Sequence, residues 1–102
     1  MLPAADAIFI STVSLYEIAQ KVRLGKWPEM LPHVGLLEGL LAERGVTPVA
    51  LTVEIGVQAG LLDWPHRDPF DRMIAATALV LGLVLVSADT AFDGLPDLRR
   101  TW

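Results

Sequence analysis

Residues 73–88 form an uncharged, mostly apolar run that is flanked by carboxylates. The dipeptide Asp68-Pro69 precedes this run and is typical of a helix start. An Asp side chain there accepts backbone N–H groups, and Pro suits the first helical position. We therefore predict a helix over residues 69–82, followed by a strand over residues 83–87. The lack of polar alternation in this strand is typical of a parallel strand covered on both faces.

The rest of the chain alternates short apolar strands with helices. Predicted strands cover residues 7–10, 46–51 and 98–102, and predicted helices cover residues 13–24, 31–44 and 52–62. Pro48 indicates that the second strand lies at an edge, because proline has no N–H to donate to a neighbouring strand. The pattern predicts an α/β sandwich with a mostly parallel sheet of three or four strands.

The composition limits the kinds of protein that this chain can form. A chain of 102 residues, 53% of them hydrophobic, suits a single domain spanning residues 1–102. The absence of cysteine excludes disulfides and thiolate metal sites, so we expect a cytoplasmic location. The net charge of −4 argues against a cationic nucleic-acid coat. The run 73–88 is shorter than the ~20 residues that span a bilayer, and the first residues do not resemble a signal peptide, so we expect no membrane partner.

Three carboxylates follow predicted strands or begin predicted helices: Glu17, Asp71 and Asp89. Right-handed crossover connections would bring them to one edge of the sheet. Converging carboxylates repel one another, and oxygen ligands without Cys or clustered His favour Mg²⁺ or Mn²⁺. A cation held there would lower the pKa of a bound water and neutralise charge on a phosphate, which predicts phosphodiester cleavage. His66 and Arg67 give a weaker signal.

Each acid also has a purely structural explanation. Glu17 is placed to pair with Lys21 one helical turn later. Asp71 falls at the third helical position, where an acid stabilises the helix start, and Asp89 suits a turn. Asp68 is expected to cap the helix and not to bind a metal. Two interpretations of these acids, a shared acidic site and separate structural roles, are both compatible with the sequence.

Three blocks of the sequence resemble the PIN-domain toxins of the VapC family in order and spacing. They are residues 14–26 (SLYEIAQKVRLGK), residues 66–78 (HRDPFDRMIAATA) and residues 86–89 (VSAD). The resemblance covers nearly the whole chain, and its middle block is the most specific. It implies a PIN-like three-layer sandwich and a Mg²⁺- or Mn²⁺-dependent endoribonuclease.

Position by position, the resemblance implies roles for particular residues. Glu17, Asp71 and Asp89 match catalytic, metal-binding acids of the family, and Ser87 matches a supporting hydroxyl beside the last acid. Asp68 is expected to be a second supporting residue of the site. The resemblance also implies an RNA substrate, a cognate VapB-like antitoxin whose tail occupies the active-site groove, and a homodimer.

Basic side chains near the matched blocks are candidates for guiding RNA. Lys21 and Arg72 are the two that we expect to bind substrate. Exposed Lys and Arg side chains are also common on surfaces that bind nothing, so this expectation rests on their position alone.

One segment of the family pattern has no counterpart in this sequence. The PIN domains that it resembles begin with a central strand that ends in Asp-Thr or Asp-Ser and is followed by a helix. Asp6 does not replace that acid, because it precedes the strand at residues 7–10. We therefore expect an N-terminally truncated domain that lacks one acid and the middle of its sheet. The alternatives are an inactive PIN-like module that binds an antitoxin or nucleic acid, and a structural α/β interaction domain.

Overall fold

The computed structural model describes residues 7–101. The chain divides into two compact units, Met1–Ala50 and Leu51–Trp102. Each unit contains one two-stranded parallel sheet. Asp6, and Trp102 at the end of the predicted last strand, lie outside the described residues.

The first unit pairs two strands that are separated by helical segments. Its elements are β1 (Ile8–Ser11), α1 (Thr12–Arg23), 3₁₀ turns at Pro28–Met30 and Val34–Leu36, α2 (Leu37–Glu43) and β2 (Val46–Val49). The strands are parallel, with Ile8 opposite Val46. The Ser11 hydroxyl caps α1 by accepting the N–H of Val13 at 3.2 Å.

The predicted helix over residues 31–44 is wrong in length, because only Leu37–Glu43 is α-helical. Gly35 has a low helix propensity and falls in the first half of the predicted helix, where the chain forms a short 3₁₀ turn instead.

The second unit places two helices before its sheet. Its elements are α3 (Val53–Leu61), α4 (Pro69–Leu81), β3 (Leu85–Val86), a 3₁₀ helix at Thr90–Gly94 and β4 (Arg100–Thr101). α4 ends at Gly82, whose φ of +66° is the left-handed conformation that glycine adopts without strain.

Small side chains let α3 and α4 pack closely. Ile55, Ala59 and Ala76 form one buried cluster between the two helices. A second cluster lies between α4 and the segments that follow it, and it consists of Trp64, Ala75, Ala78, Phe92, Leu95 and Leu98. The centre of α4 is buried, which is consistent with the absence of charged residues from the run 73–88.

Two predictions about the strands are wrong. The strand predicted over residues 83–87 is not covered on both faces: Leu83 and Leu85 pack on the second cluster, whereas Val84 is 46% and Val86 is 65% exposed. Successive strand residues point to opposite faces, so one apolar run supplies both a packed and an exposed side. In addition, the four strands in residues 7–101 form two sheets of two, not one sheet of three or four.

The predicted α/β class with parallel strands is confirmed. Within residues 7–101, no helix has the length and apolar character needed to cross a membrane.

Candidate functional site

The start of α4 is built around Asp68. One of its carboxylate oxygens accepts the N–H groups of Phe70 at 2.9 Å and of Asp71 at 3.4 Å. Asp68 is thus the N-cap that the sequence predicts. This cap places Asp71 in the first turn of α4, with 25% of its side chain exposed.

Asp71 is held from outside its helix by His66. His66 Nε2 lies 2.7 Å from Asp71 Oδ2. Because an ionised carboxylate only accepts hydrogen bonds, Nε2 carries the hydrogen and donates it. The second oxygen of Asp71, Oδ1, accepts no hydrogen bond from the described residues. The pair therefore leaves one oxygen of the carboxylate for another ligand.

Trp64 supports His66 and lies almost completely buried. Its ring stacks on the His66 ring with centroids 4.6 Å apart and planes 19° from parallel. Its Nε1–H donates to the carbonyl oxygen of Ala91 at 3.2 Å. The indole thus contacts both the His66 ring and the segment that follows Asp89.

Arg72 ties the end of α3 and the following loop to the start of α4. A guanidinium has five N–H groups, and all five are used here. The acceptors are the carbonyl oxygens of Ala59 (2.9 Å), Gly60 (3.4 Å), Leu62 (2.7 Å), Trp64 (2.6 Å) and His66 (3.0 Å). Arg72 therefore has no unused N–H group to donate to RNA. Only its positive charge remains for its predicted role in RNA binding.

Asp89 follows β3 and is exposed. Its Oδ1 accepts the N–H of Ala91 at 2.9 Å, and its own N–H donates to the Ser87 hydroxyl at 3.1 Å. Ser87 is therefore in contact with Asp89, next to it as the resemblance implies. Oδ2 of Asp89 accepts no hydrogen bond within the part of the chain that the structure describes.

Arg100 on β4 holds the loop that contains Ser87. It forms a two-point ion pair with Asp93, at 2.8 Å and 2.9 Å, and donates to the Ser87 carbonyl at 2.9 Å. The hydrogen bond from Arg100 lowers the pKa of Asp93 below its ordinary 3.8. The same bond raises the pKa of Arg100, and attraction to Asp89 adds a smaller effect in that direction.

Glu17 and Lys21 belong to the first unit. Both lie on α1, Glu17 half-buried and Lys21 exposed. That Glu17 joins Asp71 and Asp89 in one site stays a prediction.

The donor chemistry of the second unit suits a hard cation. Asp71 and Asp89 each retain one carboxylate oxygen without a partner in the described chain. Mg²⁺ is commonly bound through one or two carboxylates, with water and substrate phosphates as its other ligands. No group of three or more His, Asp or Glu side chains that could hold a metal occurs among residues 7–101. Asp71 and Asp89 are thus the candidate cation ligands of the second unit.

His66 is only weakly indicated by the sequence, and Trp64 is not indicated at all. Both lie in the loop between α3 and α4, where no helical or strand period predicts which side chains meet. The available signal is the spacing: Trp64 and His66 flank a proline, and Asp71 follows in the first turn of the helix.

With this geometry in place, comparison with known proteins identifies the family. The profile of the PIN domain family matches residues 2–98. The chain belongs to the PIN domain family, whose members are generally nuclease-type domains that typically use divalent metals. No curated protein matches the chain. The predicted resemblance is confirmed for the PIN domain, and the assignment to VapC toxins stays a prediction.

Proposed function

We propose that this protein is a Mg²⁺- or Mn²⁺-dependent endoribonuclease toxin of the VapC type, kept inactive by a VapB-like antitoxin. The observation that carries the proposal is the Asp71 carboxylate in a PIN domain: His66 fixes one oxygen, and the other has no partner in the described chain. A carboxylate held in this way is suited to bind a cation.

Asp71 and Asp89 would hold the cation, and we propose Glu17 as a third carboxylate. The bound cation supplies a water of lowered pKa and neutralises charge on the phosphate. Ser87 and Arg100 fix the loop that carries Asp89 through hydrogen bonds to its backbone. The exposed Lys21 and the charge of Arg72 supply attraction for the RNA backbone.

We propose further that two copies of the chain associate through α3. Val53, Val57 and Leu61 are 86%, 53% and 71% exposed, and their spacing of four residues places them on one helical face. An exposed apolar stripe of this kind is typical of an interaction surface. Light scattering should give twice the chain mass for the wild type and the chain mass for Val57→Glu; equal masses would contradict association through α3.

The second candidate function is an inactive PIN-like module that binds an antitoxin or nucleic acid. It is supported by the absence of a three-ligand metal group among residues 7–101. A structural α/β interaction domain is the remaining alternative.

RNA cleavage by the purified chain in Mn²⁺, with and without a chelator, separates these functions. We expect cleavage that the chelator abolishes and that Asp71→Asn lowers by about 100-fold or more. Asp97→Asn is the matched control, because Asp97 is an exposed acid of the same unit outside the motif. RNA binding without cleavage would favour the inactive module, and cleavage unchanged by Asp71→Asn would contradict the proposed site.

A further inference from the structure

The segment Trp64-Pro65-His66 contacts both the buried core and the Asp71 carboxylate. We propose that Trp64 and His66 are positioning residues that orient the Asp71 carboxylate and couple it to the turn that carries Asp89. The consequence for metal binding rests on the proposed function, whereas the contacts themselves do not.

An aspartate in the first turn of a helix ordinarily finds its donors among the N–H groups of that helix. Asp71 Oδ2 instead accepts from His66, five residues earlier and outside the helix. At 2.7 Å this hydrogen bond is short, and it fixes the carboxylate rotation. The direction of Oδ1 is then set by His66.

His66 lies in a loop, so other groups must fix its ring. Pro65 biases Trp64 toward an extended backbone, in which side chains two residues apart lie on the same side. This places the Trp64 indole against the His66 ring, with the centroids 4.6 Å apart. The His66 carbonyl is fixed independently by Arg72 at 3.0 Å. The imidazole is thus held at its backbone and at one face.

The indole itself has little freedom to move. Trp64 is 7% exposed, and Phe92 packs against it at a centroid distance of 5.5 Å. A Cβ atom at Gly94 would lie only 3.0 Å from the indole Nε1, so the glycine leaves the space that the ring occupies. Trp64 therefore provides a rigid support for His66.

The same indole is joined to Asp89. Trp64 Nε1–H donates to the Ala91 carbonyl, and the Ala91 N–H donates to Asp89 Oδ1. Moving the indole would therefore disturb the groups that hold both carboxylates. This arrangement distinguishes a positioning role from simple filling of the core.

The first test needs no metal. In long-range ¹H–¹⁵N spectra of the imidazole rings, we expect a signal from the His66 Nε2–H, because its hydrogen bond to Asp71 slows exchange with water. Asp71→Ala should remove this signal. Trp64→Leu and Gly94→Ala should each weaken or shift it, Gly94→Ala by displacing the indole without removing it. His33→Ala identifies the signal, because the chain has two histidines. A His66 signal that neither Trp64→Leu nor Gly94→Ala alters would overturn the proposal.

The second test measures Mn²⁺ affinity by calorimetry. We expect His66→Ala to weaken binding by about 10- to 100-fold, as for other residues that orient a metal ligand. His66→Gln, which retains an N–H donor, should restore most of the affinity. Equal affinity in His66→Ala and the wild type would overturn the positioning role. If the wild type binds no Mn²⁺ but its imidazole spectra behave as expected, the proposed function fails and the orientation of Asp71 by Trp64 and His66 stands.

Discussion

Arg72 donates to carbonyl oxygens that regular structure leaves without partners. Ala59 and Gly60 lie in the last turn of α3, where carbonyls have no donor within the helix, and the other acceptors lie in the following loop. One guanidinium therefore satisfies the end of one helix and fixes the approach to the next.

Replacing Arg72 tests this structural role. We expect Arg72→Ala to lower the free energy of unfolding by about 3 kcal/mol or more, because several partly buried carbonyls lose a charged donor. Arg72→Lys should recover only part of this loss, since an ammonium has three donors at a single point. Urea unfolding followed by circular dichroism measures both variants.

Arg67→Ala is the control for Arg72, because Arg67 is an exposed neighbour. We expect its free energy of unfolding to stay within about 0.5 kcal/mol of wild type. Equal unfolding midpoints for Arg72→Ala and Arg67→Ala would contradict the role given to Arg72.

The Asp93–Arg100 ion pair predicts a pH dependence of stability. Arg100 lowers the pKa of Asp93 in the folded protein below 3.8, so its stabilisation is present above that pH and is lost as the pH falls through the lower folded value. In urea unfolding, the stability difference between wild type and Asp93→Asn should be constant from about pH 5 to 8 and should shrink in stronger acid. A difference that disappears near neutral pH would contradict this assignment.

Single contacts were the part of the site that the sequence predicted least well. Asp68 was predicted as a cap because capping depends on neighbours in sequence. The hydrogen bonds of Arg72 and the pairing of His66 with Asp71 depend on the path of a loop, which no residue period describes. Such contacts become visible only when the backbone is known.

Among the elements, helix ends were predicted better than helix lengths. α3 and α4 begin within one residue of the predicted positions, and their caps Thr52 and Asp68 both accept N–H groups of the first turn. α2 has no side-chain cap, and it begins six residues later than predicted, whereas its end differs by one residue. Capped helix starts are thus predictable from local chemistry, and the uncapped start of α2 is not.

Variants of Asp68 and Asp71 should distinguish an acid that caps α4 from an acid that binds a metal. Asp68→Ala should lower the free energy of unfolding by about 1 kcal/mol, and Asp68→Asn should lower it less, because Asn also caps helices. We expect Mn²⁺ affinity to be unchanged in Asp68→Asn, in contrast to Asp71→Asn. Loss of Mn²⁺ binding in Asp68→Asn, measured by calorimetry with urea unfolding alongside, would show that Asp68 is a ligand.

For the whole molecule, the alternation of helices and apolar strands was sufficient to predict an α/β fold with parallel strands. The number of strands in each sheet was not predictable in the same way, because each parallel pair joins segments far apart in sequence, such as Ile8 with Val46. The two-residue length of β3 also limits what an apolar pattern indicates about pairing.

The candidate site is likewise predictable from the sequence only in part. The positions of Asp71 and Asp89, after a helix start and a strand end, predict them as site residues, and the structure places both in the second unit. Their connection through Trp64 was not predictable, because it depends on three hydrogen bonds and one ring stack. Glu17 stays a prediction from the sequence.

The most direct measurement of the central claim is calorimetric titration of Mn²⁺ into the wild type, Asp71→Asn and Asp97→Asn. We predict that the wild type and Asp97→Asn bind Mn²⁺ equally and that Asp71→Asn shows no binding, because it loses a charged oxygen ligand. Circular dichroism should show that all three chains are folded. Absence of binding by the wild type, or equal binding by Asp71→Asn, would contradict the account.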